Sequence, residues 1–161
     1  GHLAMIVVQQ QGAFMVTHVP YKGGGPMMAD TMGGQIDLGI ASVAALSANV
    51  KGGKLRALAV TGEKRSHVMP DVPTLAEQGL SGFSAYAWWG ILAPAGTPKP
   101  IVDKFNAELV KILNKPDVHK QLTETLGMDL AASSPEQLQK FVAGEMDRWG
   151  KVVKSNNVRA D

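Results

Sequence analysis

The run Tyr21-Lys22-Gly23-Gly24-Gly25-Pro26 holds the residues best suited to chemistry in this 161-residue chain. Three successive glycines free the backbone to take dihedral angles closed to other residues and to approach a ligand closely. The run sits between a strand end and a helix start. There, unpaired N–H groups and the positive end of the helix dipole make an anion site that needs no metal or cofactor. Lys22 adds long-range attraction, and Tyr21 a hydroxyl and a ring wall. The same glycines also suit a tight turn that binds nothing. A second junction, Gly39-Ile40-Ala41-Ser42-Val43-Ala44, repeats the arrangement with Ser42 as N-cap. Its hydroxyl and the neighbouring N–H groups either face the same crevice or simply cap a helix. In open α/β sheets ligands gather beyond the carboxyl ends of strands, so two such junctions can converge.

Other chemistries lack their residues. Cysteine is absent, which removes disulfides, thiolate metal sites and a cysteine nucleophile. His18, His67 and His119 are scattered without metal-ligand spacing, so neither a metal nor a cofactor is expected. No G-x-S-x-G elbow occurs, and the glycines match neither the dinucleotide nor the phosphate-loop pattern. Asp30 and Asp37 read as a solvated helix position and a strand-edge turn. The charge is +2, with 16 basic and 14 acidic residues spread along the chain, which argues against nucleic acid as a partner. No run reaches the roughly 20 apolar residues of a membrane helix, and the N-terminus does not read as a signal peptide. Gly1-His2 reads as a remnant of a cleaved tag.

The elements that must position these residues alternate, predicting an α/β layer structure with a mainly parallel sheet flanked by helices. Strands are expected at 14–19, 36–40, 55–60, 85–92 and 128–132. Helices are expected at 27–32, ended by Gly33-Gly34, and at 41–50, ended by Gly52-Gly53. Residues 63–66 read as a solvated charged turn, and 74–78 as one or two helical turns. Past a linker at 94–100 the texture becomes helical. Thr97-Pro98 suits an N-cap and N1 pair, followed by the stripe Ile101, Val102, Phe105, Leu109, Ile112 and Leu113. A further helix runs through Val118, Leu122 and Leu126 to Gly127. Ser134-Pro135-Glu136-Gln137 is a capping box opening the last helix. Those terminal stripes must lie on something; in a fragment part of the apolar face is left bare, which favours a homo-oligomer or a domain swap.

In order and spacing, His18-Val19-Pro20-Tyr21-Lys22-Gly23-Gly24-Gly25-Pro26, Gly33-Gly34-Gln35-Ile36-Asp37 and Gly53 to Thr61 resemble the Bug/TctC family. Pro70 to Leu80, Trp89 to Pro98 and Trp149 to Lys154 continue the resemblance. The family consists of periplasmic substrate-binding proteins of tripartite tricarboxylate transporters. The resemblance implies a type II periplasmic-binding-protein-like lobe, a non-enzymatic role in binding a small organic carboxylate, and membrane transporter subunits as partners. Carried onto this chain, the ligand-binding residues would be Tyr21, Lys22, Gly23, Gly24, Gly25, Ser42 and Val43. Residues 1–16 would be a tag remnant and truncated leading segment, 17–96 the second lobe, and 97–161 a helical segment that packs on it and on a first lobe. A full member carries a signal peptide and that first lobe, with the opposing jaw, ahead of the position of His18. The expectation is therefore one jaw of two, with weak ligand binding by this chain alone. The alternative is the effector-binding domain of a transcriptional regulator with a related bilobal fold.

Overall fold

The computed structural model describes residues 1–159. Among the described residues six α-helices form: α1 (His2–Gly12), α2 (Gly24–Met32), α3 (Val43–Lys51), α4 (Lys99–Leu113), α5 (Pro116–Lys120) and α6 (Pro135–Ser155). The chain divides into two compact units, one of residues 1–87 with 125–127, the other of 88–124 with the residues from 128 onward.

In the first unit α2 and α3 end where glycine punctuation predicts, but α2 begins at Gly24, inside the expected turn, and α3 at Val43 rather than Ala41. Each ends in a Gly-Gly pair whose second member, Gly34 or Gly53, takes a positive φ. The following N–H groups turn back onto the helix, Gln35 to Asp30 O (2.9 Å) and Lys54 to Asn49 O (2.9 Å). Such left-handed ends satisfy carbonyls that a helix terminus leaves unpaired. Helix α1 was not predicted. Its sequence Leu3-Ala4-Met5-Ile6-Val7-Val8 is apolar all round and gives no helical period, yet Ala4 and Val8, four apart, are both buried. Met27, Val60, Met69, Phe83 and Ala85 are the other buried apolar residues of this unit.

The expected strands do not become a sheet among the described residues. Segments 14–19, 36–40, 55–60, 85–92 and 128–132 contain no ladder, and the single pairing is a parallel bridge from Val60 to Thr74. The bridge uses Val60 N–H to Pro73 O (2.8 Å) and Leu75 N–H to Val60 O (3.0 Å), and Ala85 N–H reaches Thr61 O (2.8 Å). A strand exists only by exchanging hydrogen bonds with a neighbour about 4.8 Å away. Elsewhere the apolar alternation is present but no neighbouring backbone lies in register.

Two smaller expectations hold, with partners that the sequence does not show. Residues 74–78 form a single turn in which Gln78 N–H reaches Thr74 O (3.3 Å), closed by Glu77 N–H to Thr74 Oγ1 (3.0 Å) and Thr74 N–H to Glu77 Oε2 (2.8 Å). Arg65 is exposed, as expected of a solvated turn, and donates to the Glu77 carboxylate at 2.9 Å and to Pro70 O at 3.1 Å. The Thr74 amide and then the Arg65 guanidinium hold the Glu77 carboxyl below its usual pKa.

In the second unit α4 begins one residue later than predicted. Pro98 is its N-cap, and Thr97 Oγ1 donates instead to Pro94 O at 2.8 Å. The α6 capping box forms as predicted: Ser134 Oγ accepts from Gln137 N–H (3.2 Å), and Gln137 Oε1 from Ser134 N–H (2.8 Å). Helix α5 passes into a π turn at Gln121–Thr125. Lys99 joins the starts of α4 and α6, pairing with Asp103 at 2.7 Å and Glu136 at 3.5 Å. Trp88 meets the Phe141 ring edge-on at 5.4 Å. The predicted stripe is only partly covered: Ile101, Phe105 and Ile112 are exposed, as are Trp89, Ile91, Leu92 and Met146.

One contact aligns the two junctions of interest. Met27 is buried against Gly39, where an added Cβ would run into Met27 Sδ and lie 3.0 Å from Thr31 Oγ1. Gly39→Ala is expected to cost about 1–3 kcal/mol by overpacking this contact. A Cβ on Gly25 would meet nothing within 4 Å, so Gly25→Ala should leave stability unchanged or slightly raised. Urea unfolding of the two variants checks the contrast, and equal midpoints would refute it.

Candidate functional site

Tyr21, Lys22 and the glycines form the approach to α2. Gly23 is its N-cap, with φ 121° and ψ 173°, a backbone state that side chains other than hydrogen strongly disfavour. Gly24 and Gly25 make the first turn, with Pro26 behind them. Pro26 has no N–H to leave unpaired, which suits this end of a helix. No side chain caps α2, and no acidic residue lies in its first turn. The first-turn amides therefore stay open, and the helix dipole adds positive potential around them.

The second junction opens α3. Ser42 is its N-cap in an extended conformation, and Oγ accepts from Ala45 N–H at 3.4 Å, the long limit of a hydrogen bond. The first turn of α3 likewise carries no acid.

The two junctions meet. A Cβ on Gly24 would stand 4.0 Å from the Ala41 side chain, in ordinary van der Waals contact. Further along, Asn49 Nδ2 of α3 lies 3.7 Å from Met28 Sδ of α2. The starts of two helices, uncharged by any acid, are thus packed side by side. Such an arrangement offers an anion backbone N–H groups, one serine hydroxyl and the positive ends of two helices.

The predicted residues differ in what they can still offer. Gly23, Gly25 and Lys22 are exposed, while Gly24, Ser42 and Val43 are half-buried at the junctions. Tyr21 is already committed: its hydroxyl donates to Asp30 Oδ2 at 2.7 Å. Hydrogen bonding to Asp30, then burial and the nearby carboxylate charge, raises the phenol above its ordinary value. Asp30, read from sequence as a solvated helix position, is instead half-buried and is this phenol's acceptor. Nothing in a nine-residue separation signals that pairing. His18, just ahead of the loop, stacks on His2 with ring centroids 3.7 Å apart.

Among the described residues no group of three or more His, Cys, Asp or Glu is placed to hold a metal ion. No helix among them is long and apolar enough to cross a membrane. An open hollow at the end of α6, lined by Val153, Lys154, Asn157, Val158 and Arg159, brings together no pair of helix starts and is not the candidate site.

Comparison with known proteins bears on this geometry. The family model described as "Tripartite tricarboxylate transporter family receptor" matches residues 1–158. A curated relative from Pseudomonas sp. strain P51, "UPF0065 protein in tcbD-tcbE intergenic region", is 37% identical over 161 residues, covering 99% of this chain and 48% of the relative. The solved structure "R. palustris Rpa4515 with adipate" superposes with a TM-score of 0.87 at 34% identity, over 96% of this chain and 51% of that one. "Structure of periplasmic binding protein BugD" matches with a TM-score of 0.82 at 31% identity, over 99% of this chain and 54% of that one. This chain spans about half the length of most of the curated relatives it matches, 48% of the Pseudomonas sp. strain P51 protein among them. Its fold is that of a periplasmic-binding-protein lobe, although the sheet ladders predicted from sequence do not form among the described residues.

The Tyr21–Asp30 bond predicts a pH dependence. A neutral phenol whose pKa is raised by folding stabilises the fold fully below its ordinary value of 10.0 and loses that contribution as pH rises through the raised value. The chain has two tyrosines. The difference between parent and Tyr21→Phe alkaline spectra should therefore isolate one phenolate transition centred above 10.0. A transition at or below 10.0 would exclude the bond.

Proposed function

This chain belongs to the tripartite tricarboxylate transporter receptor family, and on that premise we propose that it forms one jaw of a periplasmic receptor for a small organic carboxylate. The reading is capture without catalysis: the receptor holds the solute and presents it to membrane transporter subunits. One carboxylate group lies against the amides of Gly23, Gly24 and Gly25, within reach of Ser42 and Val43, and Lys22 draws anions toward the jaw.

The observation that carries this reading is the closeness of the start of α2, which no side chain caps, to the Ser42-capped start of α3, at Gly24 and Ala41. Backbone amides and helix dipoles favour an anion wherever no acid competes for them. The solved relative with adipate supports a carboxylate as that anion, since adipate carries a carboxylate at each end. One end on this jaw leaves the other for an opposing surface. Holding a ligand by one end limits the contacts available, and a dissociation constant near 1 mM corresponds to only about 4 kcal/mol. Weak binding to this chain is thus the expectation.

Gly24→Val tests the reading. Gly24 takes no positive φ, and a Cβ there meets only Ala41 at contact distance, so the backbone tolerates a side chain. The valine methyl groups would fill the space between the two helix starts. Adipate binding, followed through the glycine amide resonances, is expected to weaken at least tenfold, about 1.4 kcal/mol, with the thermal midpoint nearly unchanged. Unaltered adipate binding, or a parallel loss of stability and binding, would reject the jaw and leave the glycines a structural turn.

A further inference from the structure

We propose that Asp30 is the positioning residue of the glycine loop: through the Tyr21 hydroxyl it fixes where the amides of Gly23, Gly24 and Gly25 point. That those amides meet a carboxylate rests on the preceding reading; that Asp30 holds them in place does not.

The loop has little else to hold it. Gly23 occupies a glycine-only conformation with nothing within 4 Å of an added Cβ, while Gly24 and Gly25 already belong to the first turn of α2. Three glycines in a row lose more conformational freedom on ordering than any other tripeptide. The N-cap position makes no side-chain hydrogen bond. Among the described residues, Tyr21 to Asp30 is the one side-chain hydrogen bond made by residues 20–26. Its length of 2.7 Å is that of a charge-assisted O–H to carboxylate bond.

The geometry makes that bond a clamp. Tyr21 stands two residues before the N-cap, and Asp30 is the seventh residue of α2. The bond therefore closes a ring from the entry of the loop to the side of the helix, with the three glycines inside it. Helix α2 is itself fixed by Met27 against Gly39. One end of the loop is thus set by the buried helix and the other by Asp30. Cutting the bond frees the Tyr21 end, and the amides then sample directions in which they no longer converge with the start of α3.

The test uses the whole chain, labelled with 15N, with backbone order parameters measured at Gly23, Gly24 and Gly25 and adipate as the probe ligand. In the parent the three amides should be ordered near 0.85. Tyr21→Phe, which removes one oxygen and keeps the ring, should lower them toward 0.6 or below. Asp30→Leu should do the same, and the double variant should go no further than either single one. Asp30→Asn keeps an oxygen that accepts the phenol proton and should restore parent values. The adipate dissociation constant should rise at least threefold in the first two variants and not in Asp30→Asn. Parent-like order in Tyr21→Phe would overturn the proposal, as would loss of order in Asp30→Leu but not in Tyr21→Phe. If the order falls as expected while adipate shifts no loop amide even in the parent, the clamp is upheld and the carboxylate reading is what fails.

Discussion

The burial of Met27 against Gly39 is the contact on which the candidate site depends. It fixes α2 over the segment leading into α3, and so brings Gly24 beside Ala41. That juxtaposition has an electrostatic cost. Each helix start carries the equivalent of about half a positive charge, and no acidic residue stands in either first turn to offset it. Two like ends packed together are stable only because apolar contact behind them outweighs the repulsion. A bound anion removes the repulsion as well as supplying its own hydrogen bonds. Two acid-free helix starts side by side thus concentrate positive potential beyond what a single ordinary helix cap presents.

The parts of this arrangement that sequence reveals are those specified locally. Gly33-Gly34 and Gly52-Gly53 stop α2 and α3 because a second glycine can take the left-handed turn, and Ser42 starts α3 because its oxygen can accept an amide. Ser134 and Gln137 open α6 for the same kind of reason. The candidate jaw was legible as a glycine run opening a helix, without the strand expected ahead of it, and its family pattern was legible in the ordered motifs from His18 onward. The Tyr21–Asp30 bond was not, because it joins residues related only by how the chain folds back. Helix α1 escaped for the opposite reason: a segment apolar on every face presents no period to read.

Strands fail where helices succeed because their hydrogen bonds are not their own. The run Leu55 to Val60 has the apolar composition of a buried strand, yet it pairs only at Val60, with Thr74. Segment 88–92 keeps Trp89, Ile91 and Leu92 exposed. A pattern can announce that a segment wants a sheet, but the neighbour that completes the ladder is a nonlocal fact. The same division appears in the second unit. Helices α4 and α6 hold their form through caps and pairs within a single turn, such as Lys99 with Asp103 and Lys151 with Asp147, each worth only tenths of a kcal/mol or so at the surface. No described residue of that unit is buried. Local signals there suffice to define helices, and they do not amount to a core.

On the proposed reading, backbone amides rather than side chains form the binding surface of the jaw. A carboxylate held by amides is recognised as an anion of the right shape, and amides are the same whatever residues carry them. On that reading, specificity for the rest of the solute comes from outside the glycine amides, which cannot encode it. What glycine requires is restraint. A loop permissive enough to wrap an anion is also permissive enough to miss it, and its amides are useful only if something outside the glycines fixes their direction. In this chain that role falls to a tyrosine at the loop entry and an aspartate on the helix side. The aspartate serves without opposing the ligand's charge at the helix start, because it sits in the second turn of α2, with its carboxylate turned to a phenol proton.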